Sequence, residues 1–97
     1  VTAYLVIDIS IFDMPKMEEY ERHVLPLLKM FGGTPIAYDD DGVVLEGAWN
    51  NRVLIVAFPS KEEIKAFFNS PEYAPWKAFR RKYSDGRAVA VQAVQPG

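Results

Sequence analysis

Residues 3–12 read Ala3-Tyr4-Leu5-Val6-Ile7-Asp8-Ile9-Ser10-Ile11-Phe12. The odd positions are uniformly apolar, and a period of two in a β-branched stretch predicts a strand. The even positions are mixed: Tyr4, Val6 and Phe12 share that face with Asp8 and Ser10. A strand with apolar groups on both faces needs cover on both. The rest of the chain has to supply it.

Downstream, Asp13 is a helix N-cap with Pro15 in the first turn, where a missing N–H costs nothing. Met17, Tyr20, Val24, Leu27, Leu28 and Phe31 then form one stripe of a helix from about Met14 to Met30. Glu18, Glu19 and Glu21 near its start and Lys29 near its end suit the macrodipole. Pro26 falls opposite the stripe, and Gly32-Gly33 ends the helix. Thr34 to Tyr38 predicts a short strand, Asp39-Asp40-Asp41-Gly42 a turn, and Val43 to Ala48 a second strand. Asn50-Asn51 turns the chain again into Arg52 to Phe58, a nearly continuous apolar strand.

Ser60 with Glu63 is a capping box for a helix bearing Ile64, Phe67 and Phe68. Ser70-Pro71 opens another helical segment lined by Tyr73, Trp76, Phe79 and Tyr83. Pro75 calls for an irregular turn before that helix. Asp85-Gly86 breaks it, and Arg87 to Val94 closes the chain as a strand.

The order is strand, helix, two or three strands, helix pair, strand. It predicts one α+β domain over residues 1–97, a ferredoxin-like βαββαβ antiparallel sheet with its helices on one face. Those helices cover only one face, yet apolar side chains occupy both. Tyr4 and Val6 lie on the second face of the first strand. Val53, Ile55 and Ala57 alternate with Leu54, Val56 and Phe58, and Val89 and Val91 alternate with Ala88 and Ala90. A large exposed apolar face is a partner site, and the simplest partner is a second copy in an isologous homodimer.

Composition sets the outer limits. The chain has 97 residues, 49% hydrophobic and 25% charged, with no cysteine, one histidine and a net charge of −2. Thiolate metal sites, disulfides and cysteine catalysis are excluded, as is an all-histidine metal site within one chain. No basic field attracts nucleic acid, and no apolar run approaches the ~20 residues that span a bilayer. A cytoplasmic location is the default expectation. The chemistry is expected to need no metal or cofactor and to rest on carboxylates, aromatics and one imidazole.

Asp8 is a carboxylate in the middle of a strand; buried, it would be either a prepared general base or a group satisfied by an arginine or a backbone N–H. Glu46 repeats the theme on the Val43–Ala48 segment, where it is a second candidate base or a solvent-facing residue paired with Arg52 or Arg87. His23 alone has an ordinary pKa near neutrality. It sits at the margin of its helical stripe, as a proton shuttle or a plain surface residue. Tyr73 and Trp76 offer a wall for a planar ligand or ordinary core. Trp49, at a turn, and Tyr4, on the second sheet face, are further candidates for ligand contact. Lys77, Arg80, Arg81 and Lys82 read as a solvated helix end or an anion site. The acidic turn lacks calcium-loop spacing.

The ordered set Ala3–Ile9, Gly32-Gly33, Leu45-Glu46-Gly47 with Trp49, Phe58-Pro59-Ser60 and Ser70-Pro71-Glu72-Tyr73 resembles the DUF1330 family. That resemblance spans almost the whole chain and implies a dimeric α+β barrel. It implies no activity, because the family has no established reaction. Superfamily relatives include cofactor-independent monooxygenases, haem-degrading oxygenases and muconolactone-type isomerases, and fold alone does not transmit function. Residues 60–85 hold no histidine, which disfavours the haem reading. Pro75 and the acidic 39–41 turn depart from the family pattern. The expected function is a small metal-independent enzyme acting on a small organic molecule by proton transfer or cofactor-free oxygenation. The alternative is a non-catalytic ligand-binding or stress-associated dimer.

Overall fold

A computed structural model describes residues 2–94. Its elements are β1 (Ala3–Ile11), α1 (Met14–Met30), β2 (Thr34–Asp39), β3 (Arg52–Phe58), α2 (Lys61–Phe68), α3 (Ala74–Tyr83) and β4 (Ser84–Gln92). The four strands form one antiparallel sheet in the order β2-β3-β1-β4. This is the expected ferredoxin-like arrangement.

The period of two in β1 divides the molecule into an inner and an outer side. Ala3 and Leu5 join Val56 and Phe58 of β3 in a core closed by Val24, Leu27 and Leu28 of α1 and Ile64 and Phe67 of α2. On the other face, Val6 lies opposite Ile55 and Val89, and Asp8 lies opposite Val53 and Arg87. Among the described residues no helix covers that outer face, where Val89 and Val91 are exposed.

Local chemistry sets the boundaries. The Asp13 carboxylate accepts the Lys16 N–H at 3.2 Å to start α1, and Gly32, at φ 84°, follows its last turn. The Ser60 hydroxyl accepts the Glu63 N–H at 3.3 Å to start α2. Pro75 stands in the first turn of α3, after the turn at residues 71–73. The first turn of α1 contains no acidic residue. Glu18, Glu19 and Glu21 therefore lie past the part of the helix where the macrodipole is felt, a correction to the expectation from sequence.

Two other expectations are corrected. Val43 to Ala48 is not a strand: β2 hands on to β3 through an arm, residues 40–51, that leaves the sheet. The alternation there is short, and Gly47 at φ 78° turns the backbone out of the extended region. Asp85-Gly86 is not the break between helix and strand: α3 ends at Tyr83, and both residues lie inside β4, which begins at Ser84. Gly86 serves close strand packing, since a Cβ there would collide with the Asp8 carbonyl oxygen. Among the described residues no helix is long and apolar enough to cross a membrane.

Candidate functional site

Between the sheet and the helices lies a cavity of about 230 Å³. Leu5, Ile7, Leu54 and Val56 form its floor, and Val24, Leu28, Phe67 and Phe68 its walls. Two groups of polar side chains, and Arg87 at the edge with β4, interrupt this apolar lining.

The first group is Tyr20, Tyr73 and Arg80. The two phenol oxygens are 2.6 Å apart, and Arg80 Nε donates to the Tyr73 oxygen at 3.2 Å. Tyr73 is fixed from behind: its N–H donates to the Ser70 hydroxyl at 3.2 Å, and that hydroxyl donates to the Phe67 carbonyl at 2.8 Å. Its ring packs 4.4 Å from that of Phe67. The Ser70-Pro71 turn thus explains why Tyr73 faces the cavity.

Proton counting gives this group its chemical character. Two phenols carry two O–H hydrogens, and their mutual bond uses one. Arginine only donates. One O–H therefore remains to meet a ligand acceptor, beside a cation that forms no ion pair among the described residues. Burial, followed by the neighbouring Tyr73, pushes the Tyr20 phenol far above its ordinary range. Tyr20 stays protonated and acts as a donor.

The second group surrounds Arg52, which is 4% exposed. Its Nη1 donates to Glu21 at 2.7 Å, and Nε and Nη2 donate to Asp40 at 2.6 and 3.0 Å. The guanidinium carbon lies 4.4 Å from the centre of the Tyr38 ring. Bonds from Arg52 hold the Asp40 carboxyl below the usual range. Burial and then the charge of Glu21 raise the Tyr38 phenol. Glu21 and Tyr38 both line the cavity, so this network forms part of its edge.

The residues singled out from sequence are distributed differently. Of the seven, Tyr73 lines the cavity; Asp8, Glu46 and His23 do not. Asp8, 3% exposed, accepts the Asn50 N–H at 2.9 Å and Arg87 Nε at 3.1 Å. Both its oxygens are engaged on the outer side of the sheet.

Glu46 is exposed in the arm. Beside it, the Trp49 indole donates to the Glu46 carbonyl at 3.0 Å. The Arg87 guanidinium carbon lies 5.4 Å from the centre of the Trp49 ring, and Nη2 donates to the Ala48 carbonyl at 3.4 Å. Arg87 thus brings Asp8 and Trp49 together. His23 is exposed on α1, stacked 4.4 Å from Trp76, with Nδ1–H donating to the Glu19 carbonyl at 2.9 Å. Tyr4 is half-buried on the outer face, opposite Ala57 and Val91.

Tyr20, Glu21 and Arg52 are site residues that the sequence reading passed over as candidates, whereas Arg80 belongs to the basic cluster read there as a solvated helix end or an anion site. Only Tyr20 carried a usable signal: a phenol within a core stripe needs a hydrogen-bond partner, and Tyr73 stood in the facing stripe. The pairing of Arg52 with residues 12 and 31 positions away required the fold.

A family profile described as a domain of unknown function, DUF1330, matches residues 2–94. No curated protein matches the chain. Among solved structures, a protein of unknown function from Rhodopseudomonas palustris is similar with a TM-score of 0.78 at 16% identity, over 98% of this chain and 84% of that one. SnoaB, a cofactor-independent oxygenase from Streptomyces nogalater, has a TM-score of 0.69 at 11% identity, over 98% and 95% of the two chains. A dimeric protein of unknown function with a ferredoxin-like fold from Bacteroides fragilis has a TM-score of 0.65 at 10% identity, over 95% and 96%. At such identities the likeness is one of fold.

Proposed function

The chain belongs to the DUF1330 family, a domain of unknown function, and from that premise we propose that its cavity binds a small, flat, mostly apolar organic molecule with one oxygen that is anionic or becomes so. The carrying observation is the Tyr20–Tyr73–Arg80 chain on an otherwise apolar wall. An unspent O–H beside a guanidinium, held in a site poor in water, stabilises a phenolate or enolate oxygen far better than bulk water does. Such stabilisation promotes proton transfer at the ligand, or direct attack of its carbanion form on dioxygen, without a resident metal. The fold of the cofactor-independent oxygenase SnoaB gives this reading its precedent.

A second reading is a binder without turnover. It is favoured by the positions of Asp8, His23 and Glu46 outside the cavity lining, since none of these candidate bases then meets a ligand there. The functional unit we propose is a homodimer joined through the outer sheet face. Supporting it are the exposed Val89 and Val91 and the dimeric Bacteroides fragilis protein of the same fold.

A panel of phenols and cyclic ketones, screened by thermal shift against the whole protein, tests the reading. A bound compound raises the melting temperature, and the double variant Tyr20→Phe/Tyr73→Phe, which removes both phenol hydroxyls, weakens its binding about tenfold, equivalent to one lost hydrogen bond of ~1.4 kcal/mol. Recovery of the compound chemically unchanged after long incubation selects the binder. Equal affinity in that double variant defeats both readings.

A further inference from the structure

We propose that Glu21 is the general base of the cavity and that its substrates are small enolisable carbonyl compounds. This rests on the reading of the cavity as an oxyanion-binding site and adds the group that takes the proton.

Glu21 is the one carboxylate that lines the cavity among the described residues. It follows Tyr20 in α1, so the two side chains leave the helix about 100° apart and flank the same space. Its Oε1 is anchored by Arg52 at 2.7 Å, and no hydrogen bond from a described residue engages Oε2. Arg52 is itself immobilised by the two bonds to Asp40 and by the Tyr38 ring. The ion pair fixes the orientation of the carboxylate, leaving one oxygen for the ligand. Arg52 and Asp40 are positioning residues in this arrangement. They account for a buried arginine that the apolar floor does not otherwise need.

The chemistry closes without a co-reactant. Oε2 of Glu21 takes a hydrogen from the carbon next to the ligand carbonyl. The C–H electron pair becomes a C=C bond, and the carbonyl π pair moves onto oxygen. That enolate oxygen receives the unspent phenol O–H and faces the Arg80 charge. Once the Glu21 carboxyl has swapped its proton with solvent, delivery of the new one to the same carbon completes an exchange, and delivery of a proton to a conjugated carbon completes an isomerisation.

The test uses 1-indanone, a flat apolar ketone, with the whole protein in heavy water. Ligand-observed NMR reads binding, and loss of the C2 proton signal reads exchange. The wild type is expected to bind 1-indanone and to speed its deuteration above buffer. Glu21→Gln should bind within about threefold yet exchange about 10²- to 10⁴-fold more slowly, the usual weight of a general base. Glu21→Asp keeps the charge and withdraws it by one methylene, so its exchange should also fall while its melting temperature holds. That variant decides the matter if Glu21→Gln fails to fold. Full exchange in either folded variant overturns the assignment, as does a wild type that binds 1-indanone but exchanges it no faster than buffer. No binding at all, across 1-indanone and the wider panel, defeats the cavity reading itself.

Discussion

The two faces of the sheet bury charge in opposite ways. On the inner side, Arg52 is enclosed and its acidic partners, Glu21 and Asp40, reach toward solvent, with 30% and 50% of their side chains exposed. On the outer side the carboxylate of Asp8 is enclosed and its partner Arg87 lies 66% exposed. A buried ion is tolerated only with its hydrogen bonds made, and both meet that condition. Only the inner arrangement has a carboxylate, Glu21, that lines the cavity with one oxygen not hydrogen-bonded by a described residue. The outer one has spent both oxygens pinning the arm at Asn50 and Arg87. The same strand therefore supplies a side that lines the cavity and a side that no described helix covers, separated by one residue of register.

The largest expected difference between them is in how they break. Phe58 is almost fully enclosed against α1 and α2. Phe58→Ala should cost about 3–5 kcal/mol, at every protein concentration. Val89→Lys on the outer face should leave the fold standing and shift the mass from dimer to monomer in sedimentation at micromolar concentration. A wild type that sediments as a monomer there removes the dimer from the comparison.

Much of this division was legible beforehand. The alternation of β1 and the unbroken apolar run of β3 announced two apolar faces, and the caps at Asp13 and Ser60 located two helices. The arm was misread because Val43-Val44-Leu45 looks like a half-buried strand in isolation. Its apolar groups instead stand exposed, Val43 at 86% and Leu45 at 89%. The candidate site was harder. Mid-strand Asp8 drew attention because a lone carboxylate between isoleucines is conspicuous. Glu21 sat among neighbouring glutamates on a wet helix and was indistinguishable from them until Arg52 arrived from β3. Rank by oddity favours groups that are buried and satisfied.

A smaller effect separates the faces by pH. Tyr20 keeps its proton in the folded protein beyond pH ~10, where an exposed phenol releases it. Above that pH the unfolded chain binds fewer protons than the folded one, so stability falls as pH rises, by up to about 1.4 kcal/mol per unit. Below about pH 9 the effect vanishes. Tyr20→Phe should remove this part of the alkaline slope. Tyr38, raised in the same direction, leaves a residue of it. An unchanged slope in chemical denaturation between pH 9 and 11 means that the inner phenols are not enclosed as described.

The smallest expected effect is Asp8→Asn. The amide oxygen still accepts the Asn50 N–H, but the amide nitrogen in place of Oδ2 is a donor, so the bond from Arg87 Nε is lost together with the charge. Because Arg87 is largely solvated, salt already screens that pair, and the loss should be about 1 kcal/mol, shrinking in high salt. Deuterium exchange into 1-indanone should be unaffected, since Asp8 lies across the sheet from the cavity. An exchange rate that collapses in Asp8→Asn, with the melting temperature intact, would move the base from the inner face to the outer one. The arm hollow bounded by Glu46 and Trp49 would then be the site of reaction, and the inner cavity merely packing.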